Sequence, residues 1–467
     1  MAEEPLALAL ARRICGLRME DVGEAALRHA KTCLIDAIGV TLAGVNEDAV
    51  RILMRTPGVA GAEGPCLLVG TRQRTSALDA ALVNGTASHV LDYDDFSSVF
   101  GGHHTVPLMA ALFAVAEERA LSGRELLLAY VAGVETEIRL ARAVHFHHYD
   151  KGWHPTSTLG VFGAAAAVSR LIGLDPGRTA TALAIAASHA SGLKANFGTM
   201  TKPLHVGHTV RNGLFAVLMA ERGYTANPGA FEHAHGFLDV FNGPGTYDVE
   251  KMLADWYAPL ECGGYGDPGL KPYPCCGSTH ASVARMIDLA NTYDLKPDMV
   301  ERIEVMPHAR RLPHTDNPDP QTPLGAKFSI QYCIARALDE RAVTLRHFEP
   351  DAHFDPAIRA IMTRVDAKPH PEISADGRHP WGAEVIVHTR DGKRLASRLD
   401  DYPSRGPAGI PMTRAELWTK FSDCGQRALP AGQVAPLFEK LMAIETVPAT
   451  SDLTRLLEAP RTQSRAA

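Results

Sequence analysis

Apolar positions in the first 260 or so residues recur at helical spacing. Ala26, Ala30, Cys33, Leu34, Ala37 and Ile38 fall on one stripe of a 3.6-residue repeat. The same period predicts helices over Ser76–Leu91, Val106–Ala120, Gly123–Ala143, Ser157–Leu171, Arg178–Ser191 and Val206–Arg222, with breaks at Asp175–Pro176 and Asn227–Pro228. The Ala-rich runs Gly163–Val168 and Ala180–Ala187 permit close backbone approach and predict buried helix–helix seams. Strand signals are scarce, so an all-helical bundle is expected here.

The pattern changes near Cys262, where GGYGDPGLKPYPCC reads as a turn-rich junction. A helix over His280–Tyr293 is followed by Val300–Pro307, which alternates like a strand. Ala326–Leu338 returns to helical period. Ala383–His388 and Arg394–Leu399 flank Thr389–Lys393, whose Asp391–Gly392 is a hairpin signal. Thr413 and Glu416 form a capping-box pattern that opens another helix, and Val434–Leu457 reads as helical. The tail TQSRAA is expected to be disordered.

A length of 467 residues predicts two or three domains. With 46% hydrophobic and 21% charged residues, the chain is an ordinary globular one. A net charge of −6 gives no basic surface for nucleic acid. No stretch approaches 18 uncharged apolar residues, so no membrane span is expected. The N-terminus is acidic before it is apolar and Arg12–Arg13 follow, the reverse of a signal peptide. Eight cysteines in so long a chain are no disulfide framework, so a cytoplasmic protein with free thiols is expected.

Candidate chemistry sits in four segments that pair His or Lys with Gly and Pro: His89–Pro107, Gly152–Gly160, Met200–Gly213 and Leu270–His280. Other motifs carry less. The GxGxxG at Gly264–Gly269 follows no strand, and Pro268 and Pro272 prevent a helix from starting there. There is no HExxH and no CxxC; His145, His147 and His148 make no i, i+4 pair and read as a solvated helix end, so no metal site is predicted. Ser188–His189 lies in an Ala-rich helix without a nucleophile elbow. Asp92 and Asp95, three apart, share a face if the preceding helix continues, with Asp94 pointing elsewhere; clustered carboxylates raise one another's pKa. Gly101–Gly102 can hinge a loop that carries His103 and His104 over a pocket. Lys202 precedes Pro203 and is expected to be extended, leading into a helix near His205 whose N-terminus attracts anions. Lys271 before Pro272 repeats the arrangement. Arg310–Arg311 can grip a carboxylate bidentately.

Together these segments resemble the MmgE/PrpD family, which includes 2-methylcitrate dehydratases, cis-aconitate decarboxylases and iminodisuccinate epimerases. AKTCLIDAIGVTLAG, LDYDD, GHHTVP, GWHPTSTLG, TKPLHVG, KPYPCCGSTH and AKFSIQYCIA carry the resemblance over nearly the whole chain. It implies a mostly α fold with an α+β second domain: a large helical domain built from both chain ends (1–265 and 405–460), a smaller inserted α+β lid (266–404) and a tail (461–467). It further implies a homodimer that needs no cofactor and no metal, with an active site between helical domain and lid. Carried over by position, the site comprises Asp92, His103, His154, Lys202 and Lys271. Three positions depart from the family pattern: Phe96 stands for a threonine, Cys276 for a histidine of some members, and Arg311 near a tyrosine of the decarboxylases.

The chemistry expected is proton transfer α to a carboxylate of a small di- or tricarboxylate, by dehydration or decarboxylation. Lys202, Lys271, Arg311 and His280 would bind substrate. His103 and His154 would exchange protons, with Asp92 orienting a histidine. Cys276 motivates a second reading, an epimerase with a thiolate as one of two bases. A third is a non-catalytic carboxylate-binding protein.

Overall fold

The 3.6-residue repeat of the N-terminal half folds into a stack of helices, seen in a computed structural model that describes residues 4–373 and 381–460. The tail 461–467 lies outside the described residues. The chain divides into two units. The first draws its described residues from Met1–Val90, Asp94–Leu270 and Ser404–Ala467, and the second from Leu91–Tyr93 and Lys271–Pro403.

The main helices of the first unit up to residue 221 are α1 (Leu6–Gly16), α2 (Glu24–Gly44), α3 (Ala77–His89), α4 (Val106–Glu118), α5 (Gly123–Val144), α6 (Gly160–Leu171), α7 (Pro176–Ala187) and α8 (Thr201–Glu221). Their starts are fixed locally. Ser76 accepts from the Asp79 N–H, Ser122 and Glu125 form a capping box, and Asp175 caps α7 with Pro176 in its first turn. The expected Ser157–Leu171 helix is two, Pro155–Thr158 and α6. The bundle is not purely helical. Two short antiparallel ribbons interrupt it: β1 (Cys66–Leu67) with β2 (Arg74–Thr75), and β3 (Phe96–Ser97) with β4 (Pro268–Gly269). The C-terminal helices Arg414–Gly425 and Ala431–Met442 return to this unit, the first through the expected Thr413–Glu416 capping box. Val434–Leu457 is not one helix, because short turns follow Met442.

The Ala-rich seams are as expected: every residue of Gly163–Val168 is buried. Helix α8 packs on α3, α4, α6 and α7, and glycine lets it come close. A Cβ on Gly85 of α3 would lie 3.2 Å from the Gly207 Cα, and one on Gly207 would lie 2.5 Å from the Leu82 carbonyl oxygen. Gly207→Leu is therefore expected to cost about 3 kcal/mol, by overpacking a filled crossing; a denaturation midpoint equal to wild type would refute that packing role. The crossing matters because α8 carries Lys202 and His205 in its first turns.

The second unit holds a four-stranded sheet in the order β6-β5-β7-β8, from β5 (Val300–Pro307), β6 (Val365–Ala367), β7 (Ala383–Thr389) and β8 (Arg394–Leu399). Only β5–β6 is parallel. The β7–β8 hairpin closes where anticipated, with Gly392 at φ 83° and the Thr389 N–H donating to the Lys393 carbonyl. Helix α9 (His280–Thr292) packs across β7 and β8 and on α10 (Ile330–Glu340), burying Val283, Met286, Ile334, Val385 and Val387 together. The expected Ala326–Leu338 helix is broken after Lys327, and Ser329 caps α10 by accepting from the Tyr332 N–H. Among the described residues no helix is long and apolar enough to cross a membrane.

Candidate active site

Helix α3 ends at His89, and the chain re-enters the first unit at Asp94. The Asp94 carboxylate bridges two imidazoles: its Oδ2 lies 2.9 Å from His89 Nδ1 and 2.8 Å from His103 Nδ1. An ionised carboxylate only accepts, so both rings donate Nδ1–H and carry their lone pair on Nε2. The loop that delivers His103 is anchored rather than freely hinged. Ser97 bridges Gly102, the His103 N–H donates to Thr156 Oγ1 at 3.0 Å, and a Cβ on Gly102 would lie 2.7 Å from that same oxygen.

His154 precedes the short Pro155–Thr158 helix, with its N–H on the Gly192 carbonyl. Its Nδ1 lies 3.2 Å from His205 Nδ1, and its ring packs edge-on against Phe197 at 5.0 Å and 5.9 Å from His89. Lys202 Nζ stands 5.2 Å over the Phe197 ring. Lys202 is helical, not extended: α8 begins at Thr201, and Pro203 is tolerated in the first turn because its missing N–H has no partner there. Phe96 closes the cluster, edge-on to His103 at 5.8 Å.

Burial favours the neutral form of His89, His154 and His205. It lowers His154 well below its usual 6.5, helped by Lys202, and it lowers His89 and His205 to about 4. Burial pushes the Asp94 carboxyl up, but His103 and His89 outweigh it and hold Asp94 well below its usual 3.8. The result is one carboxylate held ionised beside a buried lysine, among imidazoles of which His89, His154 and His205 are favoured in the neutral form.

The second unit gathers another set. Lys271 Nζ lies 3.0 Å from Asp92 Oδ2 and donates to the Asp92 carbonyl at 2.8 Å. Asp92 has φ 52°, so α3 does not continue through it and Asp92 and Asp95 do not share a helical face. The carboxylate that holds His103 within the first unit is Asp94, which sequence reasoning set aside. Lys327, also overlooked, donates to the Leu91 and Pro274 carbonyls at 2.7 and 2.9 Å. Cys276 is half-buried, while Cys275 is fully buried. His280 is buried with Nε2 3.2 Å from the Cys275 carbonyl and Tyr273 edge-on to its ring. Arg311 stacks 3.5 Å over Trp381.

Thus His103, His154 and Lys202 come together in one unit, with His89, Asp94 and His205 added; Asp92, Lys271, Cys276, His280 and Arg311 lie in the other. His89 opened one of the four motif segments, but its role needs the turn at Asp92. Of the expected solvated helix end at His145, His147 and His148 only His147 is exposed: His148 is fully buried with Nε2 2.7 Å from Thr158 Oγ1, and His145 Nε2 meets the Phe100 carbonyl.

The first unit thus holds an imidazole–carboxylate cluster beside buried Lys202, and the second unit holds buried Lys271 and Lys327. Residues 8–250 match the MmgE/PrpD N-terminal domain and residues 273–441 the MmgE/PrpD C-terminal domain. The chain belongs to the MmgE/PrpD family. It is similar to the cis-aconitate decarboxylase of Mus musculus, 26% identical over 98% of this chain and 94% of the relative. The Homo sapiens cis-aconitate decarboxylase is 27% identical over 97% and 94%, and that of Aspergillus terreus 25% over 95% and 94%.

Proposed function

We propose that this chain is a lyase that removes CO₂ or water from a small di- or tricarboxylate, with cis-aconitate as the first candidate. The observation that carries this reading is the Asp94–His103 pair among neutral imidazoles beside Lys202, in a chain whose relatives are decarboxylases over nearly their whole length. In decarboxylation the bond to the departing carboxylate breaks, its electron pair stays on carbon, and a proton is then added there. In dehydration a base takes the α-proton and an acid protonates the leaving hydroxyl. His103, with Nδ1 on Asp94, exchanges the proton at Nε2, and His154 is the second exchanging group. The ammonium groups of Lys202 and Lys271 neutralise substrate carboxylates and the charge that develops beside them. Asp92 positions Lys271. Arg311 and His280 are further substrate contacts.

Epimerisation of a dicarboxylate is the second reading. It is favoured by the half-exposed Cys276 beside Gly277, where a Cβ would lie 3.9 Å from Lys271 Cε. Incubating the pure chain with cis-aconitate, 2-methylcitrate, citrate and iminodisuccinate in deuterated buffer separates the readings by NMR. Release of CO₂ with deuterium at the newly protonated carbon, or loss of water, supports the lyase. Exchange without net change supports the epimerase, and inertness toward the whole panel refutes both. His103→Ala is expected to lower turnover about 10²–10⁴-fold; a loss of affinity alone would mark a mere binder.

The depressed imidazoles set the pH profile. A base works when neutral, and a lowered pKa keeps it neutral to more acidic pH. With His154 as the base, the acid limb of kcat/KM is expected well below the ~6.5 of free imidazole. A limb at that higher value would exclude His154 as the base.

A further inference from the structure

Among the described residues no protein group bonds Nε2 of His154, although the side chain is only 2% exposed. A buried ring nitrogen left unpaired costs free energy, which a substrate group bonded there recovers. The opposite edge of the ring has a partner that the proposed chemistry leaves unused. His154 Nδ1 lies 3.2 Å from His205 Nδ1, with the ring centroids 5.4 Å apart. Glycine leaves room for this contact: a Cβ on Gly192, whose φ is 116°, would lie 3.4 Å from His205 Nδ1 and 2.9 Å from the Ser157 Cβ. His205 sits in the first turns of α8 and is only partly buried.

A neutral imidazole carries one N–H and one lone pair. Two neutral rings joined Nδ1 to Nδ1 therefore share one proton. When His205 donates it, His154 carries Nε2–H and is ready to give a proton. When His154 donates it, His154 has its lone pair on Nε2 and is ready to take one. Working alone, His154 meets an obstacle in either role. Burial, reinforced by Lys202 and His89, holds its pKa well below the usual 6.5, so it does not wait as an imidazolium. Giving a proton from the neutral ring alone would leave an imidazolate.

We propose, resting on the lyase reading, that His205 is a relay that carries protons between solvent and His154. In decarboxylation the carbon that kept the electron pair takes the Nε2 proton of His154. As that N–H breaks, His154 Nδ1 takes the Nδ1 proton of His205, and His205 Nε2 takes a proton from solvent. One proton enters from water, one reaches carbon, and both rings are neutral before and after. Once product leaves, water protonates His154 Nε2, the shared proton returns to His205, and His205 Nε2 releases its own, which restores the starting tautomers. In dehydration the same shift runs outward and delivers the α-proton to solvent. His205 acts through His154, so its role is to position and renew a proton. The sequence placed His205 in a motif segment, but only the fold brings it against a ring 51 residues away.

The test measures kcat and KM for cis-aconitate in the wild type, His205→Ala, His205→Gln and His205→Phe, with and without added imidazole, each checked for folding by near-ultraviolet circular dichroism. His205→Ala is expected to lower kcat about 10²-fold while KM stays within about threefold. Free imidazole is expected to restore its turnover saturably, by occupying the place of the lost ring. His205→Gln keeps a hydrogen bond to Nδ1 but passes no proton through, and is expected to be as slow. His205→Phe fills the place and is expected to gain nothing from imidazole. An active wild type with His205→Gln within about threefold of its kcat overturns the relay and leaves the lyase reading standing. So does a folded His205→Ala that imidazole does not rescue, or equal rescue of His205→Ala and His205→Phe. If His205→Ala does not fold, His205→Gln decides. A wild type inert toward the whole substrate panel overturns the lyase reading and the relay with it.

Discussion

Asp94→Asn is expected to lower turnover about 10²–10⁴-fold with little change in KM. The carboxylate does two things for His103 that an amide cannot. It accepts Nδ1–H at 2.8 Å as a full negative charge, so it supports the imidazolium that forms when Nε2 takes a proton. It also fixes the tautomer, whereas an Asn can present its NH₂ to Nδ1 and move the ring proton to Nε2, which removes the base. Asn keeps the size of Asp, so packing around His89 is preserved. Steady-state rates over pH, together with near-ultraviolet circular dichroism, make the check. A kcat within about threefold of wild type, set against the 10²-fold floor for a positioned acid/base, would remove Asp94 from the chemistry.

The second large effect concerns stability. Asp36 on α2 and Lys420 on the Arg414–Gly425 helix form a buried ion pair at 2.6 Å, beside a crossing where a Cβ on Gly39 would lie 3.0 Å from the Phe421 ring. Lys420→Met leaves the carboxylate without its cation and is expected to cost about 3–5 kcal/mol. Burial raises the Asp36 pKa to about 7 even with Lys420 lowering it. The folded state therefore binds a proton that the unfolded state has released above its usual 3.8, and Asp36 lowers stability progressively as pH rises between those values. The deficit of Lys420→Met is expected to widen as pH rises through about 7, because the lost cation is what offset this charge. The Asp36→Leu, Lys420→Met double variant is expected to recover most of the loss. Urea denaturation at several pH values measures both; a pH-independent deficit would show that lost packing, not the stranded carboxylate, is responsible.

Elements set by local signals were legible in the sequence. Periodicity located the long helices, alternation gave Val300–Pro307, Asp391–Gly392 gave the hairpin, and Thr413–Glu416 gave a cap. The motif segments brought His103, His154 and Lys202 forward, and the structure gathers them around Phe197 and His89. What escaped was set by single backbone torsions and by long-range packing. A helix carried past His89 puts Asp92 and Asp95 on one face; the left-handed turn at Asp92 cancels that register and leaves Asp94 to the histidines. The bias of a residue before proline kept Lys202 out of the helix, although a first turn accepts Pro203. His148 looked solvated because nothing local announces the Thr158 hydroxyl ten residues on. Lys327 sits on a short helix whose two acceptors come from remote loops.

Leu91–Tyr93, three residues from deep in the N-terminal half, belong to the second unit. Lys327 donates to the Leu91 carbonyl, Lys271 engages both the carbonyl and the carboxylate of Asp92, and the Tyr93 hydroxyl donates to the Pro272 carbonyl at 3.4 Å. A fragment cut at 271 and 403 would look self-sufficient on a linear map, with its own sheet and core. Freed from the rest, it would part the Lys271 ammonium from Asp92 and leave Lys327 the Pro274 carbonyl but not that of Leu91, so its autonomy would depend on supplying that tripeptide in trans or grafting it on.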